Sequence, residues 1–183
     1  MNQEPAPRAS EHTKRAGQNP AREDTQVKLV GAAEWRKLRA LRLTTLRDAP
    51  YAFGATAEEE ERLPETQWRE WARGTTFVAV QGERWMGMVG AYPDEDPEGL
   101  VVFGMWVDPA RRRSGIGHRL LQALIEWARQ RGARRLRLGV TESNEAAVRF
   151  YETHGFVPTG RREPLRSDPS LSEIEMERDL APP

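Results

Sequence analysis

The sequence has no cysteine, no excess of either charge and no long apolar run, and each absence excludes a class of protein. Without cysteine there is no disulfide framework and no cysteine nucleophile, so acyl-cysteine catalysis is excluded and no thiolate metal site is predicted. The 28 basic and 28 acidic residues are interspersed, which argues against nucleic-acid binding. No apolar run approaches the length that crosses a bilayer, and the first residues lack the apolar core of a signal peptide, so we predict a cytoplasmic protein without membrane contact.

The composition that is present fits one globular domain preceded by a polar tail. The chain has 183 residues, of which 38% are hydrophobic and 31% charged, enough for one core of ordinary size. Residues 1–26 contain almost nothing apolar, so burial cannot offset the entropy lost on ordering them. We predict a disordered tail over residues 1–26 and a folded domain over residues 27–183.

Sequence patterns predict both helices and strands in the first half of this domain. Apolar residues at helical spacing mark a helix that ends near Asp48. The Thr56-x-x-Glu59 pattern predicts a capping box that opens a second helix, interrupted at Pro64. Two apolar runs separated by residues 81–83 predict a hairpin. With the elements that follow, this order predicts a mixed α/β or α+β layered fold.

The most informative stretch is a junction between a strand and a helix. The apolar run over residues 101–107 predicts a buried strand, and apolar residues recur at helical spacing from Gly115 to about Arg131. Glycines in the turn let backbone N–H groups approach a ligand, while the helix start and two arginines add positive charge. This arrangement suits a pyrophosphate. The candidate residues are Arg112, Arg113, Ser114, Gly115, Ile116, Gly117 and His118.

A second segment decides between ligand binding and the structural alternative, because arginines and glycines before a helix also serve turn geometry or solubility. Residues 135–140 predict another strand, and Asn144 suits the N-cap of a helix on which Tyr151 lies two turns inward. Gly155 suits the C′ position where that helix ends. This order favours ligand binding.

Together the two segments resemble the Gcn5-related N-acetyltransferase (GNAT) superfamily. That family carries Gln/Arg-x-x-Gly-x-Gly/Ala at the pyrophosphate of acetyl-CoA, followed by an Asn and a Tyr on the next helix. The matching residues here are Arg112, Gly115, Gly117, Asn144 and Tyr151. The resemblance covers residues 27–180 and implies acetyl-CoA as cosubstrate. It also implies a mixed sheet of six to seven strands, flanked by about four helices and splayed between the fourth and fifth strands.

The resemblance also assigns roles near the splayed strands, which would be residues 100–107 and 135–140. Backbone groups of Met105 and Val107 would pair with the pantetheine arm, with Trp106 between them as a further cofactor-binding candidate. In the family, the N–H at the position of Met105 faces the carbonyl oxygen of the thioester as negative charge develops there.

Tyr151 is the candidate general acid, because a hydroxyl beside the cleft can protonate the departing thiolate. The alternative is a core tyrosine with an ordinary hydrogen bond. Asn144 also has two possible roles, as an N-cap and, by resemblance, as a partner of the pantetheine arm.

The general base is where the sequence departs from the family. Histone-acetylating relatives place a glutamate at the position of Val101, and ribosomal-protein N-terminal acetyltransferases place one at the position of Gly139; neither residue is acidic here. The amine would then lose its proton through water or to another carboxylate. Candidates near the expected cleft are Glu142, which we predict to be catalytic, Glu98 and Asp94. The alternative for each is an ordinary solvated acid.

The amine that accepts the acetyl group is predicted from the segment that would shape its pocket. In the family, the connection between the first two helices shapes the acceptor pocket, here residues 49–56, followed by carboxylates at residues 58–61. Those carboxylates suit a cationic acceptor, or they complement the helix dipole and complete the capping box. We expect transfer to a primary amine on a small molecule. A protein or peptide amine and a non-catalytic acyl-CoA sensor are the alternatives, and because dimers are common in the family, a homodimer is a further expectation.

Overall fold

The computed structural model describes residues 25–180. Most of the predicted tail lies outside the described residues, and the first strand begins at Gln26, one residue before the predicted start of the domain. The described chain forms one seven-stranded sheet in the order β1-β2-β3-β4-β5-β7-β6. The strands are β1 (Gln26–Leu29), β2 (Thr75–Gln81), β3 (Arg84–Pro93), β4 (Gly99–Val107), β5 (Arg135–Thr141), β6 (Val157–Leu165) and β7 (Asp168–Asp179).

Five α-helices flank the sheet within residues 25–180. They are α1 (Trp35–Asp48), α2 (Ala57–Glu61), α3 (Glu65–Trp71), α4 (Ile116–Gln130) and α5 (Glu145–Glu152). The capping box of α2 is confirmed, since Glu59 N–H donates to Thr56 Oγ1 at 3.2 Å and Thr56 N–H donates to the Glu59 carboxylate at 3.0 Å. Pro64 separates α2 from α3, as predicted. No helix of the described chain is long and apolar enough to span a membrane.

Alternation along the strands divides the apolar residues between two clusters on opposite faces of the sheet. Phe77 and Ala79 of β2 join the cluster beneath α4, whereas Val78 and Val80 join the cluster beneath α1 and α3. The apolar stripe of α4 is fully covered by the first cluster. At roughly 25 cal/mol per Å² of buried apolar area, this burial holds α4 and its N-terminal turn against the sheet.

β4 and β5 are parallel neighbours that pair only at their N-terminal ends. Three residue pairs join them, from Gly99 with Arg135 to Val101 with Arg137, after which the strands separate. β5 remains paired with β7 along its whole length. A bulge also interrupts the pairing of β3 with β4, and there Gly104 has a φ of +65°, which favours glycine. The predicted mixed sheet, splayed between its fourth and fifth strands, is confirmed.

Candidate active site

Two cavities open along β4 where it separates from β5. The loop cavity, of about 630 Å³, lies between the C-terminal end of β4, the turn before α4, and α5. The sheet cavity, of about 510 Å³, lies between the middle of β4, β5, β6 and β7. Ala52 and Phe53 line both cavities. The two cavities therefore adjoin at the connection between α1 and α2, the segment expected to shape an acceptor pocket.

The turn that enters α4 leaves backbone N–H groups unused. Gly115 is the N-cap with a φ of +86°, and no side chain caps the first turn of the helix. Arg113 also has a positive φ, of +62°. Turn conformations of this kind aim successive N–H groups into a concavity that binds anions, and the helix start adds partial positive charge. The local geometry suits a phosphate group.

Asp48 organises the residues beside this turn. Its carboxylate accepts hydrogen bonds from Arg112 Nη2 at 2.5 Å and from Trp106 Nε1 at 2.8 Å. Arg112 Nε also donates to Val107 O at 3.1 Å, so this arginine is held against the end of β4. Arg113 has no ion-pair partner within residues 25–180. Asp48 lies 58 residues before Trp106, and no local sequence pattern indicates this contact.

Most of the predicted cofactor-binding side chains meet at the loop cavity. The predicted residues that line it are Met105, Trp106, Val107, Arg112, Arg113, Gly115, Gly117, His118, Asn144 and Tyr151. Ser114 and Ile116 do not line it: Ser114 Oγ donates to Arg111 O at 2.6 Å, and the Ile116 side chain is buried in the core. An added Cβ at Gly117 would lie 3.3 Å from Met105 Cε and 3.4 Å from the Phe150 ring. There is no spare space at Gly117.

The backbone of β4 turns Met105 and Val107 towards the gap between the strands. Asp108 N–H donates to Met86 O of β3 at 2.8 Å, so alternation along the strand directs the backbone groups of Val107 and Met105 to the opposite edge. Val107 O accepts its hydrogen bond from Arg112 on that edge. Because β5 does not pair with this part of β4, the edge is open to the amide groups of a ligand.

Tyr151 and Asn144 line the loop cavity from α5. Tyr151 is 7% exposed, and burial raises the pKa of its hydroxyl far above the usual value. The hydroxyl therefore stays protonated at neutral pH, and it has no hydrogen-bond partner among the described residues. Asn144 caps α5 through Oδ1, which accepts from Ala147 N–H at 3.3 Å. The Asn144 amide NH₂ group remains available to a ligand.

Two histidines meet at the rim of the loop cavity, a contact that sequence reasoning missed. His118 Nδ1 lies 2.9 Å from His154 Nε2, and His154 Nδ1 lies 2.7 Å from Phe150 O. The carbonyl oxygen of Phe150 requires the proton on His154 Nδ1, so in the neutral pair His118 Nδ1 donates to His154 Nε2. The 36 residues between the two histidines hide this pairing from any local pattern.

The carboxylates expected near the cleft already have partners. Asp94 lines the sheet cavity, but its side chain is 7% exposed and it accepts from Arg137 at 2.6 Å. Glu142 is exposed, pairs with Arg162 at 2.7 Å and lines neither cavity. Glu98 pairs with a surface arginine at 3.3 Å. The structure therefore does not bring Glu142 or Glu98 to the cavities.

The acidic segment at the start of α2 supports the fold. Glu60 is buried and binds the Arg42 guanidinium through both of its oxygens, at 2.7 and 3.0 Å. Glu59 completes the capping box and pairs with an exposed arginine at 3.0 Å, and Glu61 pairs with another at 3.0 Å. These contacts favour the helix-stabilising role over recruitment of a cationic acceptor.

The model of the acetyltransferase (GNAT) family matches residues 29–156, which include the turn before α4, Asn144 and Tyr151. The chain belongs to this family. Membership confirms the predicted fold class and the N-acetyltransferase class, with acetyl-CoA as the cosubstrate that the family uses.

Similar proteins cover different shares of the chain. N-acetyltransferase 8 of Homo sapiens is 35% identical over 94 residues, which are 49% of this chain and 41% of that protein, so the chain spans less than half of its length. The ribosomal protein bS18 alanine N-acetyltransferase of Escherichia coli (strain K12) is 34% identical over 106 residues, 53% of this chain and 69% of that protein. The structure of yncA from Salmonella typhimurium, with its cofactor acetyl-CoA, matches with a TM-score of 0.71 at 18% identity, over 88% of this chain and 96% of that one. That likeness shows the fold.

Proposed function

We propose that the chain transfers the acetyl group of acetyl-CoA to a primary amine of a small molecule, by direct attack in a ternary complex. The observation that carries this proposal is the division of β4 between two adjoining cavities. Residues 101–104 line the sheet cavity, and residues 105–107 line the loop cavity. An amine in the sheet cavity would then meet a thioester held at the end of the loop cavity. Alignment of this kind contributes roughly 7–11 kcal/mol to lowering a barrier.

The loop cavity offers a matching group for three parts of acetyl-CoA: the pyrophosphate, the pantetheine arm and the thioester. N–H groups at the start of α4, with Arg113 beside them, would bind the pyrophosphate. The open edge of β4 and the free Asn144 NH₂ group would bind the pantetheine amides. Met105 N–H would face the carbonyl oxygen and stabilise the negative charge that develops there.

Tyr151 would act as the general acid. The neutral amine attacks the thioester carbonyl carbon, a C–N bond forms, and the C–S bond breaks. The Tyr151 hydroxyl donates its proton to the departing sulfur, and the phenolate recovers a proton from the new amide nitrogen. The acceptor ammonium has by then lost its first proton, so one proton is released for each acetyl group transferred.

The sheet cavity supports a small acceptor. Its volume of about 510 Å³ lies in the range that drug-sized ligands occupy. It is also walled on several sides, by the α1–α2 connection, β4, β5 and the β6–β7 hairpin. A peptide amine is the second candidate, because one relative that is 34% identical carries the name of a ribosomal-protein alanine N-acetyltransferase.

A thiol-release assay tests the proposal. The protein is incubated with acetyl-CoA and, in turn, benzylamine, spermidine, lysine methyl ester and a peptide with an N-terminal alanine, and products are identified by mass. Thiol release matched by acetylated benzylamine, spermidine or lysine ester supports a small acceptor. Product from the peptide alone would favour the second candidate. Acetyl-CoA binding in calorimetry without turnover on any amine would contradict transfer and favour a sensor.

Replacement of Tyr151 by Phe removes only the hydroxyl. We expect kcat to fall by about 100-fold, because the thiolate must then leave without a proton donor. The dissociation constant of acetyl-CoA should change little, since the ring contacts of Tyr151 with Phe150 and Phe156 remain. Calorimetry and steady-state kinetics separate the two effects. Equal kcat values for Tyr151→Phe and the wild type would contradict the general-acid role.

A further inference from the structure

β5 and β7 carry opposite charges on the face of the sheet that forms the sheet cavity. Alternate residues of β5 lie on this face, and the first three are Arg135, Arg137 and Gly139. The matching residues of β7 are acidic, and β7 pairs with β5 along the whole length of β5. The acidic residues are Glu173, Glu175, Glu177 and Asp179.

The ion pairs between these strands follow a constant diagonal. Arg135 pairs with Glu177 at 3.9 Å and Arg137 pairs with Glu175 at 3.8 Å. The next position of β5 on the same diagonal is Gly139, which has no side chain to pair with Glu173. Within residues 25–180, the side chain of Glu173 has neither an ion pair nor a hydrogen bond. This series of ion pairs between β5 and β7 therefore ends in one unpaired carboxylate, that of Glu173.

The Glu173 carboxylate lies directly above Gly139. An added Cβ at Gly139 would overlap Oε1 and Cδ of Glu173 and would lie 2.8 Å from Oε2. Both residues line the sheet cavity. The carboxylate thus occupies the space that a side chain of β5 would fill, on the strand that separates from β4 to open the gap. Only a glycine at position 139 permits this placement.

We propose that Glu173 is the general base, which takes the proton from the acceptor ammonium in the sheet cavity. The inference rests on the proposed function, since it assigns a residue to the acceptor half of that reaction. One N–H bond of the ammonium breaks, its electron pair stays on nitrogen, and the proton forms an O–H bond with Glu173. Glu173 then returns the proton to solvent, which is the one proton released in each turnover.

The surroundings of Glu173 suit a base. Burial and the nearby carboxylate of Glu163 raise the pKa of Glu173 above its usual value, which brings its proton affinity closer to that needed at neutral pH. Burial raises the pKa of Tyr92 in the same cavity wall, and the charges of Asp94 and Glu173 add to this. The other charged groups of the cavity wall are Arg42, Asp94, Glu95, Arg137, Arg161 and Glu175.

The test is the Glu173→Gln variant, assayed with the best amine of the thiol-release panel from pH 6 to pH 9. We expect kcat/KM to fall by about 100-fold at pH 7. The deficit should narrow by about tenfold for each pH unit, because the fraction of amine already neutral in solution rises by that factor. Glu177→Gln is the matched control, since it removes a carboxylate from the same face of β7 outside the cavity.

A relocation variant separates chemistry from folding. In the Glu173→Ala, Gly139→Glu double variant, the alanine vacates the space above position 139 and a carboxylate returns there from β5. We expect activity at pH 7 to recover by about tenfold relative to Glu173→Ala alone. The acetyl-CoA dissociation constant should be the same in all these variants, because Glu173 lies outside the loop cavity.

Thermal unfolding provides a readout that does not depend on turnover. A carboxyl whose pKa is raised in the folded state stabilises the fold below its unfolded-state pKa and loses that contribution as the pH rises through the folded-state pKa. As the pH rises from 4 to 8, the Tm of Glu173→Gln should therefore increase relative to the Tm of the wild type. A pH-independent difference in Tm would overturn the assignment of an unpaired carboxylate.

The outcomes distinguish this inference from the proposed function. A wild type without turnover contradicts the proposed function, and the Tm comparison still tests the state of Glu173. An active wild type with an unaffected Glu173→Gln variant would overturn the inference alone. So would an activity loss of the same size at every pH, because the reaction no longer needs a base once the amine is neutral in solution.

Discussion

The loop cavity and the sheet cavity share β4 but are built in different ways. Most polar groups of the loop cavity come from one continuous stretch, residues 105–118, completed by α5. The sheet cavity takes its charged groups from α1, β5, β6, β7 and the β3–β4 connection. A ligand common to a whole family can be bound by one local motif, whereas an individual acceptor is bound by side chains that only the folded sheet brings together.

The two cavities also differ in the sign of the charges that surround them. The turn of the loop cavity carries three consecutive arginines, Arg111 to Arg113, next to two carboxylates, Asp48 and Asp108. The sheet cavity holds more carboxylates than guanidinium groups: Asp94, Glu95, Glu163, Glu173 and Glu175 against Arg42, Arg137 and Arg161. A polyanionic cofactor suits the first cavity and a cationic amine suits the second. A substitution in one cavity should therefore weaken the binding of one ligand and leave the binding of the other unchanged.

Gly117→Glu should give the largest effect and confine it to the loop cavity. The new carboxylate would crowd Met105 and Phe150 and repel the pyrophosphate. We expect acetyl-CoA affinity to fall by at least about 100-fold in calorimetry. Gln130→Glu adds the same charge at the exposed far end of α4 and should bind normally. Normal affinity in Gly117→Glu would refute the placement of the pyrophosphate and, with it, the contrast between the cavities.

The elements of the fold could be predicted wherever a signal is local. The Thr56-x-x-Glu59 capping box, the break at Pro64 and the hairpin around residues 81–83 each depend on neighbouring residues, and all three are present. The start of β7 at Asp168 could not be predicted from the sequence, because the first residues of this strand are exposed and lack apolar alternation. Pairing with β6 determines that part of the strand.

The same division holds for the site. Local spacing predicts the turn and the helix that carry Gly115, Gly117 and Tyr151, and the family resemblance predicts their roles. The positions of Asp48 and Glu173 could not be predicted, because each approaches its neighbours only when elements distant in sequence pack or pair. The signal for Glu173 was present in two alternating patterns, Arg-x-Arg-x-Gly and Glu-x-Glu-x-Glu, but using it requires the register between β5 and β7.

Glu60→Gln tests how firmly the wall of the sheet cavity is held. The side chains of Arg42 and Glu60 are 11% and 7% exposed, so loss of one charge leaves the other buried and unpaired, at a cost of about 3 kcal/mol in the free energy of unfolding. Because Arg42 lines the sheet cavity, the KM for the amine should rise while acetyl-CoA affinity holds. The control is Glu61→Gln, whose exposed pair with Arg47 should contribute less than about 1 kcal/mol. Equal destabilisation in urea would contradict the buried-pair argument.

Gly115→Ala and Gly132→Ala provide the finest comparison, because the two glycines lie at opposite ends of α4. Their φ angles are +86° and +79°, and an added Cβ would meet nothing within 4 Å at either position. Each substitution should therefore destabilise the fold by about 1 kcal/mol through backbone conformation alone. Only Gly115→Ala should also weaken acetyl-CoA binding, by about threefold to tenfold, since it disturbs N–H groups aimed at the phosphate. If both variants bound acetyl-CoA equally well, the backbone of the turn would have no part in binding, and Arg113 would have to account for the anion site.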